Sequence, residues 1–401
     1  MSRNLIATVG SNPLPVVIVA RHLKPTKLWL LFTQSSNDVR GRIERLLKNS
    51  DPHLEIIPKE MGEGLSLCEA TEQLKADKPI QWSGANLNYT AGTKQMSVVV
   101  HELWKEENKE SDSSVDACYL GADSVLYWDS GQKDKPEILL NLKEIARLHF
   151  DQESESSDAH KVDHLQSLSN KIQKVVSTSG IEDYLTTLPP VYGKKGTMRV
   201  DNVEISYVDY NAASNKNFKN DSPWTIGQWT LPSELGFVTP TNWDDVTRFV
   251  FPEKKVNKDS RLDTFKFLAA EWLETWLAKF LEQSGLFREV AQSFKIGSGA
   301  KEFELDAVAL KGTRIYTFSC TIDQSIGLVK HKALEAHHRT QRIGGDHAAF
   351  AVFSLSKDPQ RVAETIKEER WHGHDRARIF GIEHLRDTDK FRSELEEWLR
   401  H

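Results

Sequence analysis

Across the first 130 residues, short apolar runs alternate with segments of helical periodicity, and this alternation constrains the fold more than any other feature. Residues 3–9 (NLIATVG) read as a buried strand, and Ser11-Asn12-Pro13 turns the chain into a helix running through Arg21. Residues 27–33 (KLWLLFT) form a second strand. A helix follows over 38–48, with Val39, Ile43, Leu46 and Leu47 on one face. Residues 53–58 give a third strand, about 63–76 a helix, 84–88 a short strand, 92–106 another helix, and Val115 to Trp128 a strand pair. Strands alternating with helices bury their faces best as an α/β fold, a parallel sheet covered on both sides.

Beyond this region the pattern changes. Residues 149–164 are acidic and Ser-rich without apolar periodicity, and read as a linker or mobile loop. Residues 165–245 offer a helix near 164–178, a basic turn at Gly193-Lys194-Lys195-Gly196, a strand at 199–208 and a loop-rich stretch. The last third is regular again. An amphipathic helix over 260–284 carries Phe265, Leu268, Trp272, Trp276 and Phe280, and strands follow at 288–296, 302–310 and 313–320. Gly297-Ser298-Gly299 joins the first two of these strands. A helix at 328–342 ends at Gly344-Gly345, then come a strand at 347–355 and two more helical stretches. The organisation expected is 1–150, a connecting segment 151–245, and 246–401.

No apolar run reaches the roughly 20 residues that span a membrane, and residues 14–20 lack the flanks of a signal peptide. Cys68, Cys118 and Cys320 form no CxxC pair, which fits a reducing cytoplasm with the thiols buried as small hydrophobes. The net charge of −6 excludes a globally basic nucleic-acid binder but leaves room for a local basic groove.

One set of residues clusters where ligands of open α/β sheets bind, at the carboxyl ends of the strands. Gly10, Ser11 and Asn12 follow the first strand, and Thr33 and Gln34 the second. Thr90, Gly92, Thr93 and Lys94 open the 92–106 helix. A hydroxyl-rich Gly turn at a helix N-terminus offers free N–H groups to phosphate, and Lys94 adds a charge. Ordinary turn and cap residues would have the same composition.

The run NYTAGTKQMS resembles the Asn-x-Thr-Gly-Gly-Thr-Lys signature of CARF domains, with Ala91 in place of the first Gly. The resemblance covers about residues 1–150. It implies a Rossmann-like sensor that binds a cyclic oligoadenylate on a homodimer axis, with cyclic tetra-adenylate the ring expected, and places the residues just named in the pocket.

A second set lies in the last third. Glu304 and Asp306 are two apart on one strand and share a face. Glu274 lies near the buried edge of the preceding helix, and these acids suit a hard-oxygen site for Mg²⁺ or Mn²⁺. The arrangement WLExW…FELDAVALKG…IYTFSC resembles PD-(D/E)xK nucleases over about 260–385, which implies a restriction-endonuclease-like α/β domain cutting DNA or RNA. By position Asp306 and Glu274 would hold the metal with the Cys320 carbonyl. Where the motif has an acid and a lysine, this chain has Ser319 and Thr321, so Lys330 or Lys332 from the next helix would have to supply the missing charge. The alternatives are a degenerate domain that binds nucleic acid uncut, and a sensor that degrades its own ligand. Arg339, Arg342, Arg376 and Arg378 could track a phosphate backbone or form a solvated face. His337, His338, His347, His372 and His374 match no common metal spacing and read as exposed residues near helix ends.

Overall fold

The computed structural model describes residues 4–76, 80–109, 115–121, 123–137, 140–150, 155–157, 161–187, 195–200, 203–208, 235–236, 243–297, 302–345, 348–368 and 377–400. The parallel sheet expected at the N-terminus is present. In chain order it is built from β1 (Asn4–Thr8), α1 (Leu14–Leu23), β2 (Lys27–Thr33), α2 (Asn37–Ser50), β3 (Glu55–Met61), α3 (Leu67–Ala76), β4 (Ala85–Asn88), α4 (Lys94–Glu107), β5 (Ala117–Leu120), β6 (Leu126–Trp128) and β7 (Lys133–Asp134). The strand order is β3-β2-β1-β4-β5-β6-β7. The first five are parallel and the last two antiparallel. The sheet reverses direction between β2 and β4, on either side of β1, and this opens a crevice at the carboxyl edge.

The chain then passes through α5 (Leu142–Phe150), β8 (Glu155–Ser157), α6 (Asp163–Ser179), α7 (Ile181–Thr187) and the hairpin β9 (Lys195–Val200) and β10 (Val203–Val208). Two expectations need correction here. The acidic stretch read as a linker supplies an edge strand, with Ser157 opposite Gln292 and Glu155 opposite Lys295. The single strand expected at 199–208 is an antiparallel hairpin. Lys195-Gly196 falls inside its first strand, and Gly193-Lys194 and the loop-rich 209–234 lie outside the described residues.

The second half comprises α8 (Trp243–Val250), α9 (Lys258–Lys266), α10 (Trp272–Gln283), β11 (Glu289–Ile296), β12 (Phe303–Lys311), β13 (Arg314–Thr321), α11 (Ile326–Gly344), β14 (Ala348–Ser354), α12 (Pro359–Glu368), β15 (Ala377–Phe380), α13 (Ile382–Arg386) and α14 (Thr388–Trp398). Its sheet runs β15-β14-β13-β12-β11-β8. The long helix expected over 260–284 is interrupted by a π turn at Phe267–Glu271. β15 lies where only helix was expected. Ser298-Gly299, His347, His372, His374 and Arg376 lie outside the described residues.

The two halves share buried surface. One cluster joins Leu5, Val17 and Ile43 of the first half to Phe294, Leu305 and Ile343 of the second. Another packs Leu168, Ile172 and Tyr184 of the connecting segment against Trp272 and Leu277. Tyr184 donates its hydroxyl to the Leu268 carbonyl at 2.8 Å, inside the π turn, where the widened backbone has a carbonyl to satisfy. Among the described residues no helix is long and apolar enough to cross a membrane. Cys118 and Cys320 are buried as expected, but Cys68 is exposed.

Candidate functional site

The carboxyl edge of the first sheet is organised by Asn88, which is fully buried at the end of β4. Its amide donates to the Pro15 carbonyl at 3.3 Å, and its side-chain oxygen accepts from the Thr90 amide at 3.1 Å and the Thr90 hydroxyl at 2.6 Å. The Thr90 hydroxyl oxygen accepts from Leu120 N at 2.8 Å, so the turn after β4 is fastened to β5. Thr8 donates to the Ala91 carbonyl and fastens the same turn to β1. Gly10 explains how closely the two loops approach: a Cβ there would lie 2.6 Å from the Gly92 nitrogen. Gly92 has φ +91°, the left-handed region that a side chain strains.

These loops form one side of a cavity of about 550 Å³, within the usual range for a small-molecule site. Gly10, Ser11, Asn12, Thr90 and Gly92, all expected at a ligand site, line this cavity. The other expected residues lie elsewhere. Thr33 and Thr93 line a second, smaller cavity of about 200 Å³ with Glu63 and Gln95, and the Thr93 hydroxyl caps α4 by accepting from Met96 N at 3.1 Å. Gln34 and Lys94 are exposed and line neither cavity. The far wall of the larger cavity was not foreseen. It consists of His149 and Phe150 at the end of α5, and of Gln341, Arg342 and Gly345 at the end of α11. The Asn12 amide donates to the Gly344 carbonyl at 3.1 Å and joins the two walls. His149 Nε2 is sealed from solvent with no partner among the described residues. Burial, with the Arg42 guanidinium adding, pushes the ring's pKa from 6.5 to about 3.

The second site is a fork in the second sheet. The β12–β13 ladder ends at Ala307 opposite Phe318, and Asp306 is the first residue beyond it. Its Oδ2 accepts from Cys320 N at 2.6 Å and from the Ser319 hydroxyl at 3.0 Å, so the carboxylate takes an N–H that the neighbouring strand no longer reaches. An extended residue turns its N–H and C=O to the same edge, so the Cys320 carbonyl also faces the fork. On β11, Ser293 lies between residues paired with Ala307 and Leu305, directly opposite Asp306, and has φ +46°. Its hydroxyl donates to Glu274 Oε2 at 3.4 Å, which ties the α10 acid to the strand residue opposite Asp306. Glu304 and Asp306 are both half-buried. Glu271, in the π turn and absent from the expected set, is held above the usual carboxylate range by burial, with Asp263 and Glu304 adding to the effect.

α11 covers this fork. The Thr317 and Thr340 hydroxyls bond across the helix–strand contact. Lys332 lies eight residues before Thr340, about 12 Å along the axis, and four strand residues from Thr317 to Thr321 span about 13 Å. Lys332 is therefore level with the open end of β13. It also shares a stripe with Arg339, seven residues on, whose guanidinium donates to the Glu304 carbonyl at 2.9 Å. Lys330 shares its stripe with His337, which is buried with its ring 5.4 Å from Phe350 on β14, away from β12. This burial corrects the expectation of an exposed His337. Of the arginines, Arg339 is also paired with Glu335 and Arg378 with Glu394.

Two solved structures share this architecture along the chain. Protein VC1899 from Vibrio cholerae matches with a TM-score of 0.64 at 12% identity, over 98% of this chain and 98% of that one. Can2 from Sulfobacillus thermosulfidooxidans, solved in complex with cyclic tetra-adenylate, matches with a TM-score of 0.62 at 13% identity, over 100% of this chain and 98% of Can2. This chain has the Can2 fold. No family model matches the sequence, and no curated protein matches it. The Can2-like architecture agrees with the α/β halves expected from the sequence, although residue identity is too low to carry site residues across.

Among the described residues no three or more His, Cys, Asp or Glu side chains gather as a metal cluster. A cation at the fork would rest on two carboxylates, Asp306 and Glu274, and a backbone oxygen, Cys320. That all-oxygen set suits Mg²⁺ or Mn²⁺, which commonly bind through one or two carboxylates and retain waters. The chemistry of the donor set therefore fits a hard divalent cation. The part of the larger cavity's far wall made by Gln341, Arg342 and Gly345 had no local sequence signal, because these residues are more than 300 positions from Asn12. Glu271 was missed because a π turn leaves no mark in residue spacing.

Proposed function

We propose that the chain is a cyclic-oligoadenylate-activated, metal-dependent nuclease that cleaves DNA or RNA in type III CRISPR antiviral defence. The observation that carries this reading is the cavity at the carboxyl edge of the first sheet, lined by Gly10, Ser11, Asn12, Thr90 and Gly92 and closed by the C-terminal half. Its backbone N–H groups and hydroxyls suit phosphodiesters, and the presence of cyclic tetra-adenylate in the complex of Can2, which has the same fold, supports that ligand class. A cavity of this size in each protomer suits half of a ring on a two-fold axis, so the active form is a homodimer.

At the fork, Asp306, Glu274 and the Cys320 carbonyl would hold Mg²⁺ or Mn²⁺. Such an ion, when bound, lowers the pKa of water and polarises a phosphate. The protein's own contribution is placement. Cys320 N–H and the Ser319 hydroxyl fix the Asp306 carboxylate, Ser293 orients Glu274, and Lys332 supplies the positive charge that Thr321 lacks. The Ser319–Asp306 hydrogen bond also favours a second reading, in which the nuclease half is degenerate and binds nucleic acid without cutting.

The sensor part of the proposal is tested by calorimetry with cyclic tri-, tetra- and hexa-adenylate, with the ring followed by mass. Light scattering gives the assembly state. Binding of one intact ring per dimer is expected. A monomer that binds none overturns the proposal, and conversion of the ring to linear product identifies a ring nuclease.

A further inference from the structure

Arg342 lines the larger cavity, and among the described residues no carboxylate faces it. It ends α11 on the C-terminal half, yet it lines the cavity built by the loops of the first sheet. No carboxylate pairs with it among the described residues. Its guanidinium instead lies over the Phe303 ring at 4.4 Å and the Phe150 ring at 5.3 Å. Contacts with ring faces consume no N–H donor of the guanidinium, so its N–H groups can pair two at a time with a phosphate. Gln341 beside it adds an amide, and His149 lines the same cavity.

We infer that the anionic ring is gripped from both halves of the chain, with the Arg342 guanidinium bonding a phosphate whose other contacts are the Gly10–Asn12 loop and the Thr90–Gly92 turn. This rests on the cyclic-oligoadenylate reading above and extends it. The ligand becomes a bridge between sensor and nuclease, and its occupancy is felt directly by α11. The same helix holds β12 through the bond from Arg339 to the Glu304 carbonyl, two residues from Asp306. A pull on Arg342 therefore acts on the helix that braces the fork.

The test is calorimetry on the full-length dimer with cyclic tetra-adenylate, using wild type, Arg342→Met and Arg342→Lys, with thermal melts to confirm folding. Arg342→Met keeps an apolar side chain beside Phe303 and removes the charge. It should bind about 10- to 100-fold more weakly, and Arg342→Lys should fall between it and wild type. Photocrosslinking of wild type with a photoreactive cyclic tetra-adenylate needs no substitution and should label peptides from both halves, including 341–345. Arg342→Met binding within two-fold of wild type, or label confined to the N-terminal half, overturns the inference while leaving the sensor reading intact. Failure of wild type to bind any ring overturns both.

Discussion

The Asn12 side chain bonds the Gly344 carbonyl at 3.1 Å across a sequence separation of 332 residues. The bond ties the first ligand loop to the end of α11, and the same Asn12 accepts from Leu14 N at 3.1 Å to start α1. The loop after β1, the start of α1 and the end of α11 therefore share one side chain. Asn12→Ala should lower stability by about 1–3 kcal/mol through the groups it leaves unpaired. It should also weaken the link between ligand and cleavage more than it weakens binding. Denaturant unfolding gives the first quantity, and the ratio of activation constant to dissociation constant gives the second.

Gly10→Ala tests the approach of the two loops. The added methyl would fall 2.6 Å from the Gly92 nitrogen, in backbone that cannot move without displacing the Thr90 turn. Ligand affinity should fall at least tenfold, with a lowered melting temperature. Calorimetry and a thermal melt check both, and affinity equal to wild type would mean that the loops part freely.

At the fork, Asp306→Asn is the informative change, because it keeps an acceptor for Cys320 N while removing the charge. It should abolish cleavage and leave ring binding unchanged. Lys332→Ala should slow cleavage by about 10²–10³-fold, the usual cost of losing one charge stabiliser. Lys330→Ala, on the His337 stripe, should change it little. Single-turnover rates at saturating ring separate these cases, and a reversed order would move the missing lysine to Lys330.

His149 gives the acid limb of stability its sign. The unfolded chain takes up the proton near 6.5, and the folded chain only near about 3. Between those values the unfolded state binds more protons, so stability falls as pH drops through that window. His149→Phe should flatten the loss, seen as a smaller shift in urea midpoint between pH 7.5 and pH 5.

Much of the fold was legible because period and position agree in it. Apolar runs such as 27–33 and the helical spacing of Val39, Ile43 and Leu46 depend only on local sequence, and each element emerged within a few residues of its expected bounds. Gly10 and Gly92 were legible for the same reason. Residues 155–157 were misread because an edge strand with only one neighbour needs little apolar character. Arg342 showed as a phosphate candidate, but its place in the first cavity depends on how the halves pack, which no short window encodes. Thr93 and Lys94 illustrate the converse: motif residues with the right local chemistry, one committed to a helix cap and the other exposed and absent from the cavity lining.

The most direct test of the account as a whole is a cleavage assay on the wild-type dimer. Labelled DNA and RNA are incubated with Mn²⁺ and each cyclic oligoadenylate in turn, beside reactions lacking ring or metal. The account predicts cleavage of at least one substrate that requires both ring and metal and is lost in Asp306→Asn. Ring binding without cleavage of either substrate, together with activity created by Ser319→Glu and Thr321→Lys, would contradict it and make the natural protein a ligand-gated binding module.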